Sequence, residues 1–355
     1  MTELLIGTRK GLFALEGDPH TGFEVKTRAF AGEPVEYAMR DPRSGRLIAS
    51  VTSAFYGPKL WYADDPSDEW RQAEGIALPE GGESALERVW VIVAGEDERS
   101  LYVGGDPGVL FQSRDGGATW ELNRALWEHP TRPSWQAGGG GLCLHSIVPW
   151  PGDPDRLALG ISAAGVWLTE DGGESWRQGN RGLVARYLPE DAREDPSALC
   201  VHRLQRARKR PERVFMQFHG GVYRSDDAGE TWTDIGAGLP SDFGFPMTLD
   251  PADPDSAYVI PLEADMDRVT PDGRVRVYET RDGGASWAAR GDGLPRQDAY
   301  LTILRHGFDQ VAEGSALELY FGATSGEVFG SGDAGASWFT AATHLPPVLS
   351  VTASR

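Results

Sequence analysis

Two cysteines in 355 residues, only four lysines and no long apolar run set the first limits on this chain. Cys143 and Cys200 are too few for a secreted disulfide scaffold. No stretch approaches the ~20 apolar residues of a membrane-spanning helix. The N-terminus, MTELLIGTRKGLF, lacks the basic start and apolar core of a secretory signal. The cytoplasm is therefore the expected location. Positive charge is also scarce: 34 Lys and Arg face 53 Asp and Glu, a formal net charge of −19. Long-range repulsion then argues against nucleic acid and against membrane surfaces as partners.

What the chain has instead is a repeated phrase. SRDGGATW begins at Ser113, TEDGGESW at Thr169, SDDAGETW at Ser225, TRDGGASW at Thr280 and SGDAGASW at Ser331. Each reads [ST]-x-D-x-G-x-[ST]-W between strand-like segments. In such a turn the Asp carboxylate accepts backbone N–H groups, Gly supplies a positive φ, and Trp buries a large apolar surface beneath the hairpin. Five equivalent carboxylates cannot all be active sites, so Asp115, Asp171, Asp227, Asp282 and Asp333 are read as structural.

The aspartates are spaced by 56, 56, 55 and 51 residues, enough for four short strands and their turns. That period predicts an all-β fold, a single β-propeller domain over residues 1–355 built of four-stranded blades. Within each blade the strands are lettered A to D in template order, and a C strand is recognisable at Gly11, Lys59, Gly108, Gly165, Gly221, Arg276 and Glu327. Seven blades result. The second has a decayed turn, DDPSDEW, and the first loses the motif after ALEGD. The chain starts directly on a B strand, ELLIGT, and ends on LPPVLSVTAS, which reads as an A strand. Blade one is therefore predicted to combine residues 1–32 with 346–354, closing the ring and removing its exposed edges.

The turns resemble the Asp-box, or BNR repeat, of sialidases, sortilin and xyloglucan hydrolases. Over essentially its whole length the chain also resembles bacterial relatives of the plant photosystem II stability and assembly factor. The stretches LWEHPTRPSW, GLCLHSIV, GVWLTEDGGESW, FHGGVYRSDDAGETW and TRDGGASW carry that likeness. These relatives are often labelled exo-alpha-sialidase or glycosyl hydrolase. The resemblance implies a propeller strongly and an activity weakly, because a shared fold is only an analogy for function.

In a propeller the D-to-A and B-to-C connections share the face around the channel mouth, while the aspartate turns lie on the other face. Two D-to-A connections are long, residues 123–141 and 179–198, and a B-to-C loop, LEADMDRVTPDGR, is long in blade six. Long loops in a compact repeat fold are usually functional. This places a candidate site between blades three and five. LCLH and LCVH put His145 and His202 at equivalent A-strand positions; His219 lies in a B-to-C turn of the same face, with His129 in the loop above. His145, His202 and His219 are the candidate catalytic acid–base residues. They are also the ligands of a divalent metal should one bind, although no cofactor is required by the pattern. Two Cys-x-His pairs suit zinc chemically, whereas buried packing between blades is the competing reading of both cysteines.

Three functions stay open. A glycoside hydrolase of sialidase type, or a lyase, would need converging carboxylates roughly 5–10 Å apart for a two-carboxylate mechanism. Glu36, Glu87, Glu128, Glu190 and Asp191 are available, each equally explained as a solvated loop charge. The Arg-Ile-Pro motif implied by the sialidase resemblance is missing, and sialidases have six blades. A binding module would grip a small molecule or glycan with His129, Arg132, Trp135, Arg181, Arg186 and Tyr187, where Trp127 and Arg124 also lie. An assembly scaffold would dock a protein partner on a flat face, and the basic run RLQRARKR, Arg203 to Arg210, is a candidate on the opposite face.

Overall fold

The computed structural model describes residues 1–79, 85–264 and 266–355; Asp265, inside the long blade-six loop, lies outside them. Seven antiparallel sheets of four strands each form a ring, a seven-bladed β-propeller. The A strands, Val35–Arg40, Arg88–Ala94, Leu144–Trp150, Val201–Arg206, Gly244–Leu249, Phe308–Glu313 and Val348–Ser354, contact their neighbours around the central channel. The ring closes as the sequence predicts. Val348–Ser354 pairs antiparallel with Thr2–Thr8, from Glu3 opposite Ser354 to Thr8 opposite Val348.

The core lies between blades. Val148, Val166 and Leu168 of blade four pack with Val201, Val214, Met216 and Phe218 of blade five, all nearly inaccessible. Strands buried on both faces explain the near-continuous apolar B and C segments, such as VFMQF at Val214–Phe218.

The five repeated turns are built alike. In the third, the Ser225 hydroxyl accepts Gly229 N–H at 2.9 Å, while Asp227 accepts Thr231 N–H at 2.9 Å and the Thr231 hydroxyl. The same bonds recur at Asp115, Asp171, Asp282 and Asp333. Hydrogen bonds hold all five carboxylates below the usual range, to about 2 in Asp282, where the Ser286 hydroxyl contributes most. Blade one keeps a remnant: Asp18 accepts the backbone N–H groups of His20 and Thr21.

The turns also join neighbouring blades. Trp232 donates its indole N–H to Gly179 O at 2.8 Å and its backbone N–H to Arg181 O, both in the preceding blade's outer segment. Trp287 reaches Ile235 O and Trp176 reaches Asn123 Oδ1 in the same way. D strands are accordingly short, two residues in blades two to five, because their backbone groups are shared with the next turn.

Candidate functional site

A β-bulge at one level of the channel sets the site. Val201 pairs with Phe218 and Arg203 with Gln217, leaving His202 unopposed. The same skip isolates His145 in blade four, Trp90 in blade three and Glu36 in blade two. A bulge leaves one residue out of the ladder and re-aims its side chain. The sequence alone gave no sign of it.

On the face of the D-to-A and B-to-C connections, a cavity of about 360 Å³ opens beside His202. It runs from blade four to blade seven, further around the ring than the blades three to five expected. Its rim is the Gln136–Gly141 loop and the segment of Tyr187, Asp195 and Ser197; its floor is Phe243 and Phe245; Cys200, His202, His219, Arg268 and Arg305 line its walls. A second cavity, about 280 Å³, occupies the opposite mouth around Tyr37, Arg203, Arg206 and Asp309.

His202 Nδ1 donates to Gly244 O at 2.6 Å, and its ring lies against Phe243, Phe245 and His219. Burial, aided by the nearby Arg305 charge, pushes its pKa well below the usual imidazole range. His202 is therefore neutral, with its Nε2 lone pair available. His219 stands opposite Cys200 on the hairpin, its backbone N–H donating to Cys200 O at 3.0 Å, and its ring centre is 4.2 Å from that of Tyr187. The Tyr187 hydroxyl accepts Cys200 N–H and donates to Ala198 O, fixing the entry to the strand. Burial raises the Cys200 thiol pKa, an effect opposed by Arg305.

Two guanidinium groups face the aromatic floor. Arg305 lies 4.6 Å from the Phe245 ring centre and 6.0 Å from that of Trp90; Arg268 lies 5.7 Å from the Phe245 ring centre. Among the described residues Arg305 makes no ion pair, and its Nε is buried without a hydrogen-bond partner. Burial lowers its pKa. Arg268 adopts φ +53°, a strained conformation for a side chain of this size, held by Arg268 N–H to Glu263 O and by the Thr302 hydroxyl to Arg268 O. The only acidic residue lining this cavity, among those described, is Asp195, which caps Ser197 N–H.

Of the residues singled out from sequence, His202, His219 and Tyr187 meet in this cavity. Cys200, of the second Cys-x-His pair, joins them, while the remaining candidates lie elsewhere. His145 is fully buried below it, Nε2 at 2.8 Å from Ser162 Oγ. His129 pairs with Thr131 and packs edge-on against Trp167. Arg132 donates to the Pro107 and Gly108 carbonyls while stacking over Trp127, and Trp135 is buried against Trp167. These three hold loop 123–141 down. Arg186 forms an ion pair with Asp234 at 2.6 Å, and the Arg181 backbone bridges to Thr231. Contrary to expectation, the basic run is not all connection: its first four residues, 203–206, belong to the A strand, and Arg203 is bonded to His306.

Arg305, Arg268 and the aromatic floor escaped the sequence reading. Arg305 directly precedes His306 at the start of blade seven, a position with no local signature. Arg268 lies in a loop already marked as long, and only its backbone strain distinguishes it.

Among the described residues, no helix is long and apolar enough to cross a membrane. No protein-family model matches the chain. An oligoxyloglucan-reducing end-specific xyloglucanase from Emericella nidulans is 22% identical over 243 residues, covering 64% of this chain but 24% of the fungal protein. An ancestral GH74 enzyme superposes with a TM-score of 0.55 at 15% identity, covering 90% of this chain and 38% of the enzyme. The chain thus spans well under half the length of either. YCF48 bound to D1 peptide gives a TM-score of 0.51 at 12% identity, over 90% of this chain and 84% of YCF48. What these likenesses establish is the fold: a seven-bladed propeller shared with glycoside hydrolases and with a peptide-binding protein.

Proposed function

We propose that this propeller binds a small acid-bearing ligand, such as an acidic sugar or a compact carboxylate, in the cavity between Arg268 and Arg305. The observation that carries this reading is Arg305, a largely buried guanidinium without an ion-pair partner among the described residues. Burying a cation without a counter-charge is costly, and a ligand carboxylate would complete it through the bidentate geometry that guanidinium favours. The Phe243 and Phe245 floor would take the apolar face of such a ligand. Binding is favoured over hydrolysis, because a two-carboxylate mechanism needs a facing pair and the described lining offers Asp195 alone.

Isothermal titration with D-glucuronate, N-acetylneuraminate and citrate, with D-glucose as neutral control, tests the reading. Binding of at least one acid, absent for glucose and weakened more than about tenfold in Arg305→Met, is the expected result. Equal affinity for acid and neutral sugars, or no binding of any acid, overturns it.

A second reading, protein docking on the same face, is favoured by exposed apolar side chains. Phe55, Tyr56, Met266 and Tyr300 are 64–89% exposed, and all lie on B-to-C or D-to-A connections. Such side chains gathered on one face suit a partner. Loss of binding to an immobilised D1-type peptide in Phe55→Ser/Tyr56→Ser would support this reading, and absence of peptide binding by the intact protein would end it.

A further inference from the structure

The hairpin of blade five brings three soft or borderline donors together. Cys200 and His219 lie just beyond the Val201–Phe218 pair, joined by a backbone hydrogen bond, and the bulge at His202 frees that imidazole from the ladder beside them. One donor atom from each lies within 4.8 Å of the other two. Tetrahedral zinc, with Zn–S near 2.3 Å and Zn–N near 2.0–2.1 Å, spaces its donors by roughly 3.3–3.7 Å. The donors thus stand no more than about 1.5 Å farther apart than a bound ion would hold them. Hydrogen bonding already orients one ligand: His202 Nδ1–H is committed to Gly244 O, the outer-sphere arrangement that leaves Nε2 for a metal.

Blade four supplies an internal contrast. It carries the same Cys-x-His pair, Cys143 and His145, but Ser162 stands where blade five has His219, and His145 Nε2 bonds to it. The Cys143 thiol donates to Gly140 O instead. Only blade five has the third ligand.

We infer that Cys200, His202 and His219 form a three-ligand site for a divalent metal ion of zinc type, with its fourth position open to the cavity. A nitrogen–nitrogen–sulfur set suits zinc or cobalt rather than magnesium or calcium. The adjacent Arg268 and Arg305 favour an anion in the fourth position. The metal assignment does not depend on the ligand reading above, since it uses none of the arginines.

The test is cobalt titration of the full chain, purified without a histidine tag and stripped of metal by chelation. One equivalent of Co²⁺ should give a thiolate-to-cobalt charge-transfer band and the intense visible bands of a four-coordinate centre, both bleached by Zn²⁺. Cys200→Ser should abolish the charge-transfer band, and His219→Ala should weaken binding beyond the roughly 10–100-fold of an outer-sphere change. His145→Gln should leave the spectrum intact, and Arg305→Met should keep the charge-transfer band, which depends on the Cys200 thiolate, so failure of the anion reading is told apart from failure of this one. A wild-type titration without the charge-transfer band, or a band that survives Cys200→Ser, overturns the assignment.

Discussion

Arg305→Met should leave the ligand-free protein at least as stable as the wild type, an unusual outcome for removing a long charged side chain from a channel wall. The guanidinium is desolvated, its Nε unsatisfied, and no carboxylate among the described residues offsets the charge. Replacing a poorly compensated buried ion with an apolar side chain of similar length is commonly neutral to stabilising by about 1–4 kcal/mol. The lost contact with Phe245 and the weaker one with Trp90 return about 1 kcal/mol. A net gain of about 0–3 kcal/mol follows. With an unfolding entropy of about 2.1 cal/mol/K per residue, 355 residues give about 0.75 kcal/mol/K, so Tm should stay level or rise by up to roughly 4 °C. Calorimetry in a buffer free of carboxylates reads this directly. Ligand at 100 times the wild-type Kd should stabilise the wild type by about 2.7 kcal/mol and the variant by no more than about 1.4 kcal/mol, shifting the balance back toward the wild type. A ligand-free variant that melts several degrees below wild type would refute the reasoning and make Arg305 a structural cation.

Deleting residues 348–355 removes the buried Val348 and Val351 and strips one edge of Thr2–Thr8, so the loss should exceed about 5 kcal/mol and abolish cooperative melting; a truncation that melts normally would contradict ring closure. Ala228 holds φ +68° where three sister turns have glycine. Ala228→Gly should relieve about 1–2 kcal/mol of left-handed strain against about 0.4–1 kcal/mol of added chain entropy, a net gain of about 0.5–1 kcal/mol in denaturant unfolding. Burial pushes the Asp309 carboxyl up to about 6 from its ordinary 3.8. The folded state then binds its proton more tightly than the unfolded chain, so this contribution is present below pH 4 and lost as pH rises through 6. Asp309→Asn should remove that slope and gain on the order of 2 kcal/mol at pH 7.5 relative to wild type. Parallel pH–stability curves for the two proteins would count against it.

The fold was legible because its signal is local and repeated. A Ser or Thr, an Asp, a Gly and a Trp at fixed spacing carry all the chemistry of the turn, and the same bonds form wherever the phrase occurs. The site was legible only where it inherits that repetition. His202 emerged from its equivalence with His145, but nothing local says that Ser162 answers one and His219 the other. Arg132 and Trp135 have the composition of a ligand grip, yet their guanidinium and ring are used to hold their own loop against Trp167. Arg305 contributes from blade seven to a cavity centred on blade five, and a convergence across the channel leaves no mark in linear spacing.

The bulges at Glu36, Trp90, His145 and His202 have a consequence for how such a channel can change. Each is a residue outside the ladder, so its identity is uncoupled from strand register, and four blades offer an acid, an indole and two imidazoles on nearly the same backbone. They act as sockets. A single substitution at one of them changes the chemistry of the channel wall while the strand pairing around it keeps its register.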